Sequence, residues 1–485
     1  MKLEELLKNI DYKIVQGDKE EVIKGVNYDS RMIQKDELFV CIKGFNSDGH
    51  KYVQSAIEKG AKAIVCEDEV ECVKGITIIK VSDSRKALAT IGSNLYDNPS
   101  KKMKIIGVTG TNGKTTTAFM IKTILEAEGH KVGLIGTIAN YIGDEKIDTE
   151  RTTPESLELQ ELFNNMVKKG CEYCVMEVSS HSLALDRVFG VEFEVGIFTN
   201  LTRDHLDFHK TFENYYNEKF KLFKRSKIKI INIDDSYGKR VAMDLVELKE
   251  ENIYTYSIKT EGDYKAHDEV CESKHIGFEI MLNNKEEKFI VGLPGEFNIY
   301  NSLGAIAATE KLGVSLKSIK KGIENVVVVG RCEMTGKEYN LPYTIILDYA
   351  HTPDGLDNIL KTARGFTSNR LICVFGCGGD RDKVKRPQMG EIASNLSDIA
   401  IVTSDNPRTE KPSSIIQDIL VGIKKDNYEV VENRKEAIKK AISLATAGDV
   451  IVIAGKGHED YQVLNTGKIH FDEREIVDEI LKGLI

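Results

Sequence analysis

The sequence predicts an α/β protein of three domains, each built on a sheet of mostly parallel strands. Three observations carry this prediction. Short apolar runs alternate with helical stretches, two linker segments interrupt the alternation, and a glycine-rich loop follows one of the apolar runs. Strands that alternate with helices are typical of parallel sheets covered on both faces. At 485 residues the chain also exceeds the length that one hydrophobic core normally serves.

Two predicted linker segments divide the chain into domains of residues 1–100, 101–328 and 329–485. Their sequences are YDNPSKKMK (96–104) and VVVVGRCEM (326–334). In the first domain, an α/β unit, we expect strands in ELFVCIKG and AKAIVCED, with the helix KYVQSAIEKG between them. The central domain should form a mostly parallel sheet of the P-loop type, from MKIIGVTG, KVGLIGT, YCVMEVSS, VGIFTNL and IKIINIDD. The last domain should be Rossmann-like, with strands in YTIILDYAH, LICVFGCGG, IAIVTSDNP and DVIVIAGKG.

Composition disfavours several classes of protein. The net charge of −9 argues against a surface that coats nucleic acid. Nine scattered cysteines fit reduced thiols in a cytoplasmic protein better than a disulfide framework. The N-terminus lacks the apolar core of a signal peptide, and no apolar run nears the roughly 20 residues that cross a bilayer. We therefore expect a cytoplasmic protein without nucleic-acid partners or membrane insertion.

Polar residues gather where seven predicted strands end. Ligands of open parallel sheets bind at the carboxyl ends of the strands, so this arrangement predicts a shared active-site face. The residues are 110–116, Glu177, 200–205, 348–351, 377–381, 405–408 and 455–459.

The first of these segments is the loop GTNGKTTT, which lies between an apolar run and a helical pattern. Gly110 and Gly113 let backbone N–H groups turn toward an anion, which the following helix N-terminus attracts, and Lys114 adds a positive charge. Thr115 is placed to offer its hydroxyl to Mg²⁺. The spacing departs from a strict P-loop, because Val108 stands where the first glycine would fall. The loop nevertheless predicts a phosphate site.

Two further residues are candidate metal ligands. Glu177 ends an apolar strand, and His205 follows the next strand along the chain. Taken alone, each residue is explained as readily by a capping or structural polar role. Beside a phosphate loop, a carboxylate and an imidazole become plausible Mg²⁺ ligands.

A set of motifs in this order resembles the Mur ligases, ATP-dependent amide-forming enzymes of peptidoglycan precursor synthesis. The resemblance covers nearly the whole chain, and it is greatest to the members that add the third residue of the peptide. The motifs are GVTGTNGKTTT, TTPESLELQ, MEVSSHSLALDR, NLTRDHLDFH, LPGEFNIYNSLGAIA, DYAHTPD, GCGGDRDKVKRPQMG, SDNPRTEKP and AGKGHEDYQ.

The resemblance implies two groups of binding residues. For a UDP-linked substrate it implies a uridine-binding first domain, with Ser30 in YDSRMI, the nearby diphosphate-facing loop GFNSDGHKY, and Thr152, Thr153, Ser179 and Arg187. For ATP it implies Gly110, Thr111, Asn112, Gly113, Lys114, Thr115, Thr116, Asn298, Asn301, Arg331, Asp348 and His351.

The resemblance also implies a lysine carboxylated by CO₂. Lys219 in YYNEKFKLF matches that lysine, whose carbamate would help to bind the second of two Mg²⁺ ions, beside Thr115, Glu177 and His205. Lys114, Lys219 and His205 are then the implied catalytic residues. Without the resemblance, Lys219 is one more lysine on a charged helix face.

The last domain is expected to select the amino acid. The form DNPR, Asp405, Asn406, Pro407 and Arg408, resembles that of members using meso-diaminopimelate, whose second carboxylate an arginine can grip with two hydrogen bonds. Arg381, Gly455 and Glu459 match the other positions around this amino acid.

The implied activity is transfer of meso-diaminopimelate to UDP-N-acetylmuramoyl-L-alanyl-D-glutamate by a monomeric enzyme, through an acyl phosphate. A lysine-adding member, or a related ligase such as folylpolyglutamate synthase, is the nearer alternative. A nucleotide-binding switch without ligase chemistry is the alternative from another class. Arg151 and Leu185 replace an asparagine and a glutamine that are frequent in the family, which bears on contacts to the muramoyl-dipeptide.

Overall fold

The computed structural model describes residues 1–44, 47–149, 151–271 and 275–483. Two residues of the predicted loop GFNSDGHKY, Phe45 and Asn46, lie outside this part. The chain forms two compact units. Unit 1 comprises Met1–Gly107, His130–Gly196 and Glu218–Lys227, and unit 2 comprises Val108–Gly129, Ile197–Asn217 and Ile228–Ile485.

The helices of the described residues follow the predicted alternation with strands. They are α1 Leu3–Leu6, α2 Val53–Glu58, α3 Ser84–Leu95, α4 Lys114–Ala127, α5 Ser156–Lys168, α6 Ser180–Ala184, α7 Leu206–His209, α8 Phe212–Phe220, α9 Ser236–Glu247, α10 Phe297–Lys311, α11 Leu316–Glu324, α12 Pro353–Phe366, α13 Lys385–Leu396, α14 Pro412–Leu420, α15 Arg434–Leu444 and α16 Glu473–Lys482. In this part of the chain, no helix is both long and apolar enough to span a bilayer.

The first sheet lies in unit 1. Its strands are β1 Tyr12–Gln16, β2 Val26–Asn27, β3 Glu37–Val40, β4 Ala61–Cys66 and β5 Thr77–Val81. They are ordered β1-β5-β4-β3-β2, with β1 antiparallel to β5 and the other neighbours parallel. Apolar side chains form one core cluster that includes Leu38, Val40 and Ile79, and another that includes Phe39 and Ile64.

The second sheet has strands in both units. They are β6 Lys104–Thr109, β7 Val132–Ile135, β8 Asn140–Ile142, β9 Glu145–Ile147, β10 Tyr173–Glu177, β11 Phe193–Phe198, β12 Ser226–Asn232, β13 Ile253–Ser257, β14 Tyr264–Cys271, β15 Ile276–Leu282 and β16 Lys285–Val291. In unit 1 the order is β6-β10-β7-β8-β9, and in unit 2 it is β6-β11-β12-β13-β14-β15-β16. β12, β13 and β14 are parallel, whereas β14, β15 and β16 are antiparallel.

The third sheet lies in unit 2, and its strand ends carry much of the candidate site. It contains β17 Glu333–Thr335, β18 Thr344–Asp348, β19 Leu371–Phe375, β20 Ile399–Val402, β21 Tyr428–Val430 and β22 Val450–Ala454, in the order β17-β18-β22-β19-β20-β21. Only β17 is antiparallel to its neighbour among these pairs. β18, β19 and β22 are wholly or almost wholly buried, as expected of central parallel strands. A hairpin of β23 Tyr461–Leu464 and β24 Gly467–His470 follows.

The predicted fold class, α/β with mostly parallel sheets, is confirmed. The antiparallel strands β8, β9, β14–β16 and the final hairpin were not among the predicted elements. β16 shows why: its sequence KEEKFIV is only partly buried, so it lacks the continuous apolar run by which the parallel strands were recognised.

Candidate functional site

The glycine-rich loop joins β6 to α4 and depends on two glycines. A Cβ on Gly110 would lie 1.8 Å from the Thr199 hydroxyl, so a side chain does not fit there. Gly113 has a φ of +86° and precedes α4, a backbone conformation that favours glycine. The Lys114 ammonium donates to the carbonyls of Gly110 (3.0 Å) and Thr111 (2.8 Å). The Lys114 side chain thus lies over the loop to which it is predicted to add positive charge.

Residues after β11 hold this loop in place. The Thr199 hydroxyl donates to the Asn112 carbonyl at 2.6 Å, and the Asn112 N–H donates to the Asn200 side chain at 2.9 Å. The Thr111 hydroxyl and the phenol of Tyr215 lie 3.1 Å apart. The loop is therefore preorganised by side chains about 90 residues further along the chain.

A cavity of about 640 Å³ in unit 2 opens beside the loop. Eight of the predicted ATP residues line it, and Gly110, Thr111, Lys114 and Thr115 lie in or directly after the loop itself. The eight are Asn112, Gly113, Thr116, Asn298, Asn301, Arg331, Asp348 and His351.

The amides of α10 form a connected chain on one wall of this cavity. The Asn301 amide donates to Asn298 at 2.9 Å, and Asn298 donates to the Pro294 carbonyl at 2.7 Å. The Thr117 hydroxyl of α4 donates to Asn301 at 3.3 Å. Both asparagines are buried, so these bonds satisfy polar groups that would otherwise be costly to bury.

Arg331 and Asp348 lie on another wall. The Arg331 guanidinium donates to the Thr115 hydroxyl at 3.3 Å and lies 4.7 Å from the centre of the Tyr349 ring. The Asp348 carboxylate accepts from the N–H groups of Cys332 (2.7 Å) and Ala350 (2.8 Å). Burial raises the pKa of Asp348, although the Arg331 charge and these hydrogen bonds oppose the shift.

The sequence did not single out several other residues of this cavity. Phe297, Ile359 and Phe366 supply apolar walls. The Asp354 carboxylate accepts from the Asn112 amide at 2.6 Å. Asp354 is the last residue of the quoted motif DYAHTPD, so the motif contained this signal.

A second cavity of about 190 Å³, also in unit 2, is lined mainly by charged groups. It contains the predicted residues Arg381, Asp405, Asn406, Arg408, Gly455 and Glu459, together with His205 and His351. Tyr349 and His351 line both cavities. Pro407 is not part of the lining. Asp204, from the predicted segment 200–205, also lines the second cavity, as do Asp207, Asp382 and Lys385, which were not singled out although they lie within quoted motifs.

Arg408 is held at the second cavity by its own loop and by the loop after β19. Its φ is +53°, and its guanidinium donates to the carbonyls of Gly379 (2.9 Å) and Asn406 (3.3 Å). Burial and the neighbouring Arg381 lower the pKa of Arg408. Two arginines so close together favour an anionic ligand.

A fully buried lysine binds two residues that line this cavity. Lys456 donates to the side chains of Asn406 (3.0 Å) and Glu459 (3.2 Å), and the Asn406 amide donates to Glu459 at 2.9 Å. Burial raises the pKa of Glu459, against the charge of Lys456. Burial also opposes ionisation of Asp405, but the charges of Lys456 and Arg434 lower its pKa. Lys456 lies within the predicted segment 455–459, but the sequence assigned it no role of its own.

The histidines of the site differ in environment. Burial and the charge of Lys385 lower the pKa of His351 to about 4, so the ring is neutral near pH 7. His205 has a φ of +53° and precedes α7, and its Nε2 lies 3.3 Å from Asp204.

The candidate metal ligands belong to both units. In unit 2, Thr115 is buried and the His205 side chain is 42% exposed. In unit 1, Glu177 and Lys219 are both buried, and the Glu177 carboxylate accepts from the N–H (2.8 Å) and hydroxyl (3.0 Å) of Thr137. The Thr115 hydroxyl and the Glu177 carboxylate each offer the oxygen ligands that Mg²⁺ prefers, and a carbamate on Lys219 would offer further oxygens.

The predicted residues for the UDP-linked substrate lie in unit 1. The Thr153 hydroxyl donates to the Glu177 carbonyl at 2.8 Å and lies 3.3 Å from the Ser179 hydroxyl. Arg187 donates to the Thr153 carbonyl at 3.1 Å. The structure thus brings these three side chains together. Thr152 lies beside Thr137, with their hydroxyls 3.0 Å apart, and Ser30 is buried in the segment after β2.

Arg151 and Leu185, the departures from the family pattern, lie near the same group. The guanidinium groups of Arg85, Arg151 and Arg187 all contact the Glu155 carboxylate, at 3.4, 3.4 and 3.0 Å. The Leu185 carbonyl accepts a hydrogen bond from Arg85 at 3.5 Å.

Known proteins resemble the chain along its whole length. Three family models match: the Mur ligase family catalytic domain over residues 22–96, the Mur ligase middle domain over 108–309, and the Mur ligase glutamate ligase domain over 330–457. The last two cover the segments that contribute most of both cavities.

Two relatives named UDP-N-acetylmuramoyl-L-alanyl-D-glutamate--2,6-diaminopimelate ligase have closely similar sequences. The one from Clostridium perfringens is 59% identical and the one from Clostridium botulinum 57%, each over 100% of both chains. A solved structure of a ligase of the same name is 30% identical, with a TM-score of 0.70, and the match covers 100% of this chain and 99% of that one. The glycine loop, the two cavities and these full-length matches agree, and the chain belongs to the Mur ligase family.

Proposed function

We propose that the chain is an ATP-dependent ligase that joins meso-diaminopimelate to UDP-N-acetylmuramoyl-L-alanyl-D-glutamate in peptidoglycan precursor synthesis. One observation carries this proposal. A cavity beside the phosphate loop and a smaller cavity lined by Arg381 and Arg408 share Tyr349 and His351 within one unit. The names of the full-length relatives support the same substrates.

The reaction proceeds in two chemical steps. A carboxylate oxygen of the D-glutamyl residue attacks the γ-phosphorus of ATP, the bond to ADP breaks, and an acyl phosphate forms. The amine of diaminopimelate then attacks the acyl carbon, gives up a proton, and phosphate leaves from the tetrahedral intermediate. The chain contributes by holding anions together and by excluding water, since neither step needs covalent help from the protein.

ATP binds in the larger cavity, with its phosphates at the loop. N–H groups of the loop and the Lys114 ammonium hold the β- and γ-phosphates. The amides of α10 hold the adenine side, and Arg331 lies near the phosphates through its bond to Thr115. Lys114 leaves its two carbonyl partners when the phosphates arrive.

Two Mg²⁺ ions, when bound, supply positive charge that reduces repulsion between the phosphates and the attacking carboxylate. Thr115 and His205 of unit 2, and Glu177 of unit 1, are the proposed ligands. Lys219 of unit 1 joins them after reaction with CO₂. Carboxylation would convert the buried ammonium of Lys219 into an anion able to bind a metal.

Diaminopimelate binds in the smaller cavity. Arg408 and Arg381 grip its distal carboxylate, while Glu459 and Asp405 face its distal ammonium. Asn406, held by Lys456, gives hydrogen-bonding specificity, and Gly455 leaves room for the ligand. L-Lysine has no second carboxylate, so it would leave the two arginines without their anion.

The UDP-linked substrate is held by Ser30, Thr152, Thr153, Ser179 and Arg187.

Domains of residues 1–100, 101–328 and 329–485 are supported by the three sheets, which fall within 12–81, 104–291 and 333–454. We expect a monomer that works in the cytoplasm, where ATP and the nucleotide-linked precursor are available.

Phosphate release tests this function directly. The purified chain is given ATP, Mg²⁺ and the UDP-linked dipeptide, together with meso-diaminopimelate, L-lysine or neither. We expect release only with diaminopimelate, and loss of release in Lys114→Ala. Release with lysine would retain the ligase and contradict the proposed amino acid. Silence with every amino acid would favour another ligase of the superfamily, and nucleotide binding without turnover would favour a switch.

A further inference from the structure

Two loops carry the arginines of the smaller cavity. Loop A, residues 376–384, joins β19 to α13 and contains Arg381, whereas loop B, residues 403–411, joins β20 to α14 and contains Arg408. They contact each other through the backbone. The Gly379 N–H donates to the Asn406 carbonyl at 2.9 Å, and the Arg408 guanidinium donates to the Gly379 carbonyl at 2.9 Å. The spacing of the two arginines thus depends on how these loops are joined.

Glu410 at the end of loop B strengthens this junction. Its Oε1 accepts from the Asp380 N–H of loop A at 2.7 Å. In the other direction, the Asp380 carboxylate accepts from the N–H (3.2 Å) and hydroxyl (2.7 Å) of Thr409. Each loop therefore supplies a carboxylate that binds the backbone of the other, directly beside the two arginines.

Arg386, in the first turn of α13, contacts both loops. Its guanidinium is fully buried and binds Glu410 with two hydrogen bonds, of 3.0 and 2.8 Å. It also donates to the Gly378 carbonyl of loop A at 3.3 Å and to Asp418 at 2.8 Å. A planar guanidinium can make this forked contact, whereas the single ammonium of lysine cannot reproduce it.

We propose that Arg386 and Glu410 are positioning residues that set the spacing of Arg381 and Arg408, and with it the selectivity for an amino acid with a second carboxylate. This rests on the proposed function. Within the described part of the chain, the lining of the smaller cavity does not include Arg386 or Glu410, so their influence is indirect. Hydrogen bonds from Arg386 lower the pKa of Glu410 from 4.5 to about 2, as expected of a carboxylate that binds a guanidinium.

Arg386→Lys tests the proposal, with Asp418→Asn as its matched control. Asp418 is the third partner of Arg386, but its side chain is 45% exposed and belongs to neither loop. In Arg386→Lys we expect the KM for diaminopimelate to rise about tenfold or more, because small misplacements of binding groups are costly. The KM for ATP should stay within about twofold, and the preference for diaminopimelate over lysine should fall. Asp418→Asn should match the unsubstituted protein in each value.

Amide hydrogen exchange gives a readout that does not depend on turnover. We expect faster exchange in loops A and B of Arg386→Lys, but not elsewhere in the chain and not in Asp418→Asn. Unchanged exchange in both loops would overturn the proposal. So would a rise in both KM values with faster exchange throughout, which would mark a general structural arginine. If the unsubstituted protein uses no diaminopimelate, the proposed function fails, and the exchange result decides separately whether Arg386 holds the loops.

Discussion

Among single residues, Arg408 is the one that we propose decides the choice of amino acid most directly. It lines the smaller cavity with Arg381. Arg408→Ala should raise the KM for diaminopimelate, since losing a charged bidentate partner costs roughly 2–4 kcal/mol. The KM for ATP should change little. Steady-state phosphate release measures both, with Lys411→Ala, an exposed cation of the same loop, as control. Equal rises in the two constants would indicate a structural arginine instead.

Lys219 is distinguished by its burial, with 1% of its surface exposed. Lys219→Ala should be inactive because the proposed carbamate can no longer form. Formate or acetate should restore part of the activity by filling the space with a small carboxylate. The measurement is phosphate release with and without these ions, beside Lys221→Ala, whose partly exposed side chain lies two residues away. Full activity of Lys219→Ala without added carboxylate would remove this lysine from the site.

At the scale of elements, Asp449 ties the start of β22 to the start of β19. Its carboxylate accepts from the N–H (2.9 Å) and guanidinium (2.7 Å) of Arg370 and from the N–H of Thr446 (2.8 Å). Burial opposes ionisation, but these hydrogen bonds lower the pKa of Asp449 to about 2. The charged form therefore stabilises the fold above the usual pKa of 3.8, and this stabilisation is lost as the pH falls through about 2.

Asp449→Asn should consequently lower the free energy of unfolding at pH 7. The difference from the unsubstituted protein should shrink as the pH falls from 3.8 toward about 2, because the native carboxyl is then protonated as well. Urea unfolding at a series of pH values measures this difference. Asp426→Asn removes the same charge at an exposed position and should have little effect. A difference that is independent of pH would show that the carboxylate charge does not matter.

At the scale of the molecule, the third sheet has a core of its own. Two apolar clusters lie on residues 332–481, one including Ile346 and Phe375, the other Ile345 and Val374. A fragment of residues 329–485 should therefore fold by itself and unfold cooperatively. Circular dichroism on heating or in urea measures this. A fragment of residues 329–449 lacks β22, which lies between β18 and β19, and should not unfold cooperatively. A gradual transition of the longer fragment would contradict a boundary near residue 328.

The class of fold and the phosphate loop can be recognised from the sequence alone, because each depends on residues that are close together in the chain. Continuous apolar runs identify buried parallel strands, and Gly110, Gly113 and Lys114 lie within five positions of one another. The same reasoning missed β14–β16 of the second sheet, and β16 shows one reason, because its partly exposed sequence KEEKFIV has no continuous apolar run. It also located most residues that line the smaller cavity, because they follow strands that it recognised, but fewer than half of those that line the larger one.

The tertiary structure is needed to identify the hydrogen-bond partners that hold those residues in place. Lys456 binds Asn406 across 50 positions, and Arg386 binds Glu410 across 24. It also placed His351 at both cavities, where burial lowers its pKa. Burial and hydrogen bonds between distant segments exist only after the strands have been ordered in the sheet. No local pattern of residues specifies them, and for that reason the sequence assigned no role to Lys456 or Arg386.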